Sequence, residues 1–227
     1  MLPFSGSWSD LAPGLESKLF GRASVHHLRA RDHLFHIGDA GDGFYRLEKG
    51  FLTVILISPE GQERILAILT PGAVVGDLSI VDGLPRSASA VALTECELLF
   101  VSRKVFERCA SNHPEIYPYL VKMLAARLRE ADDLIATLAF LSLRGRVIRA
   151  LLEFAKTVGQ KMGKEIIIPR TIGQQDVASM AGVARENVNR VLSDLQRKKI
   201  MTKTAKYYRI EDKPRLEQEL SAEIFRR

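Results

Sequence analysis

Short apolar runs separated by glycine-containing turns dominate residues 25–102. The runs Phe51–Ile57, Arg64–Leu69 and Glu97–Val101 are rich in β-branched and large apolar residues, the composition of half-buried strands. Turns rich in Gly, Asp and Pro recur between the runs at fairly regular intervals. This rhythm predicts an antiparallel β-barrel or jelly roll, preceded by a short helix around Pro13–Phe20.

A longer helical pattern follows over residues 114–141. Apolar side chains recur there at alternating spacings of four and three residues, which makes an a/d seam over three heptads: Tyr117, Val121, Leu124, Leu128, Ala131, Ile135 and Leu138. Such a seam is typical of a two-stranded coiled coil and predicts a dimer interface. A second apolar row, Leu120, Met123 and Leu134, would pack against the barrel. The alternative is a single core helix that is buried on two sides.

The last third of the chain has the pattern of a helix–turn–helix with a small hairpin. A hinge is predicted at Ser142–Gly145, followed by a helix over Arg146–Thr157 and a short strand over Glu165–Pro169. Two close-set helices come next, Gln174–Ala181 and a second from about Ala184 to Arg197, joined by a glycine that permits a tight turn.

These patterns predict an α+β protein with three parts. A β-jelly roll would occupy residues 1–113, a dimerisation helix residues 114–141, and a winged helix–turn–helix domain residues 142–227. At 227 residues the chain is long enough for two modest domains, each with its own core.

Charge is distributed unevenly between these parts. Residues 1–142 carry 14 Lys and Arg against 17 Asp and Glu, whereas residues 143–227 carry 19 against 10. A basic C-terminal third on a mildly acidic body is typical of a DNA-binding module attached to a sensor domain. The alternative is a solvated basic face that has no partner.

Composition argues for a cytoplasmic protein with no membrane partner. No apolar run approaches the roughly 20 residues that a membrane-spanning helix needs, and the first ten residues lack the basic region and apolar core of an export signal. The two cysteines, Cys96 and Cys109, are too few for a disulfide framework and favour a reducing compartment.

The segment Gly76–Ala90, GDLSIVDGLPRSASA, has the chemistry of a phosphate-binding loop. Arg86 can donate two parallel charge-assisted hydrogen bonds to a phosphate, and the Ser87 hydroxyl with nearby backbone N–H groups can complete the cradle. Asp77 would repel a phosphate and suits a ribose hydroxyl instead. A cyclic nucleotide combines the two groups, so we predict that it is the ligand. The alternative is a solvated loop arginine beside an ordinary turn aspartate.

The second helix of the helix–turn–helix has the features of a DNA recognition helix. Its buried stripe would be Val188, Val191, Leu192 and Leu195. Opposite that stripe, Arg185 and Arg190 can pair bidentately with guanine, and Glu186 can accept from cytosine N4. Asn189 lies on the same face. Gln174 is a further candidate for contact with DNA. The basic residues that follow the helix are expected to contact phosphates: Lys198, Lys199, Lys203 and Lys206. The alternative is a helical hairpin with an incidental charged face.

With these motifs in place, the chain resembles the bacterial cyclic-AMP receptor protein (CRP/FNR) family of transcription regulators. The resemblance rests on G-D-L followed by R-S-A in the loop, on LAFLSLRGRV at Leu138–Val147, and on R-E-x-x-x-R in the recognition helix. It implies a homodimeric transcription regulator, not an enzyme, that binds DNA and RNA polymerase. In the family the R-E-x-x-x-R residues read a TGTGA half-site. The branch that reads TTGAT carries a serine where this chain has Asn189.

The resemblance also implies which residues hold the ligand, cyclic AMP or cyclic GMP. They are six cassette residues and two on the dimer helix: Gly76, Asp77, Leu78, Arg86, Ser87, Ala88, Ala131 and Asp132. Three of them depart from the family pattern. The cassette glutamate is Asp77 here, and a Thr-Ser pair that touches adenine is replaced by Ala131 and Asp132. Since the Asp132 carboxylate can accept from adenine N6 or from guanine N1 and N2, the choice of base stays open.

The two rival functions are a sensor of the same fold and an enzyme from a different class. A redox or gas sensor would need a cluster of about four cysteines, which this chain lacks, or a haem ligand from among the five histidines His26, His27, His33, His36 and His113. A cupin-type metalloenzyme would need a His-x-His pair with further ligands downstream, and the histidine spacing differs. We therefore expect no metal and no catalysis, and retain a ligand-independent or haem-based regulator as the alternative.

Overall fold

The computed structural model describes residue 11 and residues 13–169, 171–205 and 207–223. These residues form two compact units. One contains the described residues up to Leu56 together with Leu66–Asp132, and the other contains Ile57–Ile65 together with those from Asp133 onward. The predicted division into three parts at residues 113 and 141 stays a prediction.

The first unit is built on two antiparallel sheets of short strands, as the jelly-roll prediction requires. Helix α1 spans Pro13–Phe20, as the sequence indicates. The described strands that follow are β1 (Ser24–Leu28), β2 (His33–Phe35), β3 (Gly43–Lys49), β4 (Leu52–Ile57), β5 (Glu63–Leu69), β6 (Val74–Val75), β7 (Ser89–Ala92) and β8 (Cys96–Ser102). Their order is β1-β8-β3-β6 in one sheet and β2-β7-β4-β5 in the other. The α+β fold class is confirmed.

Strand β8 shows why these residues form a sheet that is covered on both faces. Successive side chains of a strand point to opposite sides. Accordingly Cys96 and Leu98 join a core between the two sheets, whereas Val101 joins a second core formed with the helices. Leu98 and Val101 are both almost fully buried. Alternate side chains of β8 therefore pack into two different cores.

The long helix α4 spans Tyr117–Phe140, 24 residues. It follows α3 (Arg103–Asn112) and a 3₁₀ turn at Pro114–Ile116. Of the predicted second row, Leu120 and Met123 are buried in the second core, whereas Leu134 is half-buried and outside that core. The a/d seam lies on another face, and in the single chain most of its side chains are exposed: Tyr117 51%, Val121 64%, Leu128 65%, Ile135 64% and Leu138 46%. The single chain thus leaves the predicted coiled-coil seam uncovered.

The second unit has the winged helix–turn–helix architecture that the sequence predicts. Its described elements are α5 (Leu143–Thr157), β9 (Gln160–Met162), β10 (Glu165–Pro169), α6 (Gln174–Ala181), α7 (Arg185–Arg197), β11 (Met201–Lys203), β12 (Tyr207–Ile210) and α8 (Lys213–Ala222). The strands form a sheet in the order β11-β12-β10-β9. A buried stripe on α7 holds the helices together: Val188, Val191, Leu192 and Leu195.

Helix α5 begins three residues earlier than the sequence suggested. Ser142 caps it, because the Ser142 hydroxyl accepts a hydrogen bond from the Gly145 amide at 3.0 Å. Serine at this position satisfies a backbone N–H that the helix cannot satisfy itself. The segment predicted as a hinge is therefore the cap and first turn of a helix.

No helix in the described ranges is long and apolar enough to cross a membrane.

Candidate functional site

The cassette loop connects β6 to β7 and contains a short helix, α2 (Leu78–Asp82). Gly76 opens the loop with φ +83°, a left-handed conformation that favours glycine. A Cβ at this position would lie 2.4 Å from Nη1 of Arg86. Glycine is therefore needed at position 76 for two reasons: it adopts the left-handed conformation, and it leaves room for the Arg86 side chain.

Arg86 is held as a preformed, buried cation. Its side chain donates from Nη1 to the Gly76 carbonyl at 2.7 Å and from Nη2 to the Asp42 carboxylate at 3.2 Å. Its Cζ lies 4.5 Å from the centroid of the Phe35 ring, a cation–π contact. Only 4% of the residue is exposed. Burial lowers the pKa of Arg86, while Asp42 opposes that shift.

Asp77 follows Gly76 in the loop and pairs with a different arginine. Its carboxylate Oδ1 is 2.7 Å from Nη1 of Arg127 on α4, and Nη2 of Arg127 donates to the Val74 carbonyl at 2.8 Å. Asp77 is 1% exposed. Burial raises the pKa of Asp77, and Arg127 opposes the shift. The cassette is thereby tied to the long helix through an ion pair.

The other cassette residues differ in their accessibility. Ser87 is exposed, whereas Ala88 is buried and Leu78 is half-buried. Ser79 in α2 and Ser89 at the start of β7 are both buried, and the Ser89 hydroxyl accepts from the Ile37 amide at 2.9 Å. Ser87 is thus the cassette hydroxyl that a ligand can reach.

The two dimer-helix residues of the predicted site, Ala131 and Asp132, are exposed on α4. Arg127 lies four residues before Ala131, so the two share a helix face. The structure therefore brings Gly76, Asp77 and Arg86 together directly, and connects α4 to them through Arg127. The sequence analysis missed Arg127, Asp42 and Phe35. The helical spacing to Ala131 was a signal for Arg127, and no local pattern marked the other two.

The candidate DNA-reading surface lies on α7. Arg185, Glu186, Asn189 and Arg190 are all exposed, on the side away from the buried stripe. Gln174, at the start of α6, is only 9% exposed, and its Nε2 meets no hydrogen-bond partner among the described residues. Lys203 is half-buried on β11, and Lys206 lies outside the described residues. Contact of these residues with DNA stays a prediction.

The described residues contain no group of three or more His, Cys, Asp and Glu side chains placed to hold a metal ion. His33 and His36 stack on each other with ring centroids 4.2 Å apart, and both are exposed. Cys96 and Cys109 are free and buried.

Comparison with known families matches both halves of the chain. Residues 25–113 match the cyclic nucleotide-binding domain, and residues 145–219 match the Crp-like helix-turn-helix domain. The cassette and α7 fall within these two ranges.

Named relatives align with most of this chain. A CRP-like cAMP-activated global transcriptional regulator of Mycobacterium tuberculosis is 32% identical over 183 residues, 81% of this chain and 82% of that protein. A cyclic AMP receptor protein of Thermus thermophilus is 38% identical over 162 residues, 71% of this chain and 72% of that protein. The fold matches the c-di-GMP responsive regulator CLP of Xanthomonas campestris with a TM-score of 0.77, at 21% identity over 88% of this chain and 99% of that one.

Proposed function

We propose that this chain, which belongs to the CRP/FNR family of transcription regulators, binds a palindromic DNA site as a homodimer and does so more tightly when a cyclic nucleotide occupies the cassette. The chain has a cyclic nucleotide-binding domain and a Crp-like helix-turn-helix domain. The observation that carries the proposal is Arg86, a buried guanidinium held ready in a loop that is tied to α4 through Asp77 and Arg127.

In the proposed complex the nucleotide phosphate binds Arg86 and Ser87. A phosphate can accept two parallel hydrogen bonds from a guanidinium, whereas Asp42 accepts only one from Arg86. The phosphate would therefore replace Asp42 as the partner of Arg86. Gly76, through its backbone, and Asp77 would bind the ribose, and Ala131 and Asp132 the base. Relatives named as cAMP-activated support cyclic AMP as the first nucleotide to test, with cyclic GMP as the competitor that Asp132 also suits.

The dimer interface would be the exposed seam of α4. Leu128 and Ile135 each leave more than 60% of their surface exposed in the single chain, which is costly for large aliphatic side chains unless a partner covers them. Two copies joined along this seam would present two recognition helices. These must lie about 34 Å apart to enter successive major grooves.

Gating of DNA binding by the ligand then requires only that the nucleotide binds one arrangement of the dimer more tightly than the other. A nucleotide that binds one arrangement better shifts the population toward it, with a coupling of typically about 1–3 kcal/mol. Because Arg127 joins the cassette to α4, a ligand on Asp77 acts directly on the helix that forms the seam.

On DNA, we assign base contacts to the exposed face of α7. Arg185, Glu186 and Arg190 would read a TGTGA-type half-site, with Asn189 beside them. Gln174 would also contact DNA, and Lys203 would contact a phosphate. We further propose contact with RNA polymerase and a cytoplasmic location, the compartment of bacterial DNA.

A second candidate is a regulator of the same fold that binds DNA without a nucleotide or responds to another effector, such as a haem-bound gas. The pairing of Arg86 with Asp42 favours it, since the cassette cation already has an anionic partner within the chain.

The test is fluorescence anisotropy of a labelled TGTGA-type palindromic duplex at fixed salt, with protein alone and with each cyclic nucleotide. We expect tightening with one nucleotide, and loss of that response in Arg86→Ala. Arg185→Ala should reduce discrimination at its guanine by about 1–3 kcal/mol. Tight binding that neither nucleotide changes would reject gating and favour the second candidate.

A further inference from the structure

We propose that Arg144 is a positioning residue for DNA recognition, which holds the C-terminal end of α7 and the C-terminal helix α8 against the first turn of α5. The proposal rests on the proposed function, in that α7 is the helix that reads DNA. It assigns a role to α8, which lies outside the helix–turn–helix itself.

The Arg144 guanidinium contacts three carboxylates from two helices and the residue that follows. Nη1 lies 2.7 Å from Asp194 of α7, Nη2 lies 2.5 Å from Glu219 of α8, and Nε lies 3.0 Å from Glu223 just beyond α8. The side chain is 21% exposed and its partners are 20–27% exposed. The guanidinium thus contacts the end of α7 through one carboxylate and the end of α8 through two.

A lysine also belongs to this cluster of charged side chains. Lys198, the residue after α7, lies 2.8 Å from Glu219 and 3.8 Å from Asp194. Arg197 of α7 also contacts Asp194, at 3.0 Å. The three carboxylates therefore face three cations. A partly buried network of this kind fixes geometry better than an isolated surface pair, because each side chain is already ordered by another partner.

The end of α8 also contacts the backbone at the start of α5. The Ser142 amide donates to the Glu223 carbonyl at 3.2 Å, and the Ser142 hydroxyl donates to the Glu223 carboxylate at 2.5 Å. A Cβ on Gly145 would lie 2.8 Å from Cβ of Glu223, so the glycine permits this close packing. Leu216, fully buried, anchors the other end of α8.

Arg144 therefore lies between Ser142, which caps α5, and the C-terminal end of the recognition helix α7. The buried stripe of α7 holds the helix in the core, but apolar packing alone tolerates small rotations and shifts. Directional contacts from Arg144 to Asp194 limit such movement. Loss of the arginine should therefore reduce sequence-specific DNA binding more than non-specific binding, which depends on total charge.

The experiment compares full-length Arg144→Gln with a matched control, Lys213→Gln, which removes a 3.0 Å pair with Glu217 within α8 alone. Anisotropy is measured with TGTGA-type and random duplexes in the presence of cyclic AMP. We expect Arg144→Gln to keep its nucleotide affinity and to lose about tenfold in the ratio of specific to random affinity, with Arg144→Lys recovering part of it. The control should match the wild type.

A ratio within twofold of the wild type in folded Arg144→Gln would overturn the proposal. If that variant does not fold, Asp194→Asn is measured by the same criterion. Amide hydrogen exchange provides a readout that does not need DNA: Arg144→Gln should speed exchange at the C-terminal end of α7 and in α8, and leave α6 unchanged. If the wild type does not bind the TGTGA duplex, the proposed function fails. Unchanged amide hydrogen exchange in Arg144→Gln would independently reject the positioning role.

Discussion

The Asp77 carboxylate lies 2.7 Å from the Arg127 guanidinium, and this ion pair joins the cassette loop to the long helix α4. Asp77 is buried and Arg127 is largely so, with side-chain exposures of 2% and 16%. A ligand that binds the Asp77 carboxylate must either displace Arg127 from it or share it with Arg127. Under the proposed function, occupancy of the cassette would therefore be coupled to the helix that carries the exposed apolar seam.

Replacing Arg127 should destabilise the protein strongly. Arg127→Met leaves the Asp77 carboxylate buried without its cation, and loss of one partner of a buried pair typically costs about 3–5 kcal/mol. The free energy of unfolding is measured by urea titration, with Arg129→Met, an exposed arginine on the same helix, as the control. The double variant Asp77→Asn/Arg127→Met should be more stable than Arg127→Met alone. Equal unfolding midpoints for Arg127→Met and Arg129→Met would contradict a stabilising pair.

Removing the charge of Asp42 should tighten nucleotide binding. The Asp42 side chain is 69% exposed and pairs with Arg86, so it competes with the phosphate at little structural cost. Pairs with one exposed partner are worth up to about 1 kcal/mol, so Asp42→Asn should raise the affinity by up to about fivefold. Isothermal titration calorimetry measures this, with the exposed Glu95→Gln as the control. Weaker binding in Asp42→Asn would show instead that Asp42 orients Arg86 for the ligand.

A charge on the seam of α4 should dissociate the dimer without unfolding the chain. Leu128 is 65% exposed in the single chain, so Leu128→Glu removes little intramolecular packing, whereas two facing carboxylates in a coiled-coil seam repel each other. Sedimentation velocity should show a monomer with unchanged circular dichroism. Lys122→Glu, exposed on the same helix outside the seam, should stay dimeric. A Leu128→Glu dimer would place the interface elsewhere.

Stability should fall at acidic pH partly through Glu219. The hydrogen bond from Lys198 lowers the pKa of Glu219, Arg144 lowers it further, and burial opposes both. A carboxylate with a lowered folded-state pKa contributes stability above its ordinary pKa and loses it as the pH falls through the lowered value. Between roughly pH 5 and pH 3, Glu219→Gln should therefore lose less stability than the wild type. Urea unfolding across this range tests it, with Glu217→Gln as the control. Equal pH slopes in Glu219→Gln and the wild type would contradict the assignment.

Several features of this fold depend only on local spacing, and the sequence predicted those well. Helix α6 has the predicted bounds, Gln174–Ala181, because a glycine at each end and a helical period within define it. The seam of α4 is the exposed face that its 3.5-residue spacing indicated. The cassette motif lies within one loop, and in that loop Arg86 contacts Gly76. In each case the relevant residues are close in sequence, so the chain geometry alone constrains them.

The partners of charged side chains were decided only by the tertiary structure. Asp77 meets Arg127 across 50 positions, Arg86 meets Asp42 across 44, and Arg144 meets Asp194 and Glu219 across 50 and 75. Charged residues are common, and their pairing has no periodicity that a sequence could display. Which carboxylate faces which guanidinium depends on how strands and helices separated along the chain come to lie side by side. The sequence by itself thus determined the elements, the seam and the cassette, while the packing of those elements determined the ionic contacts that connect them.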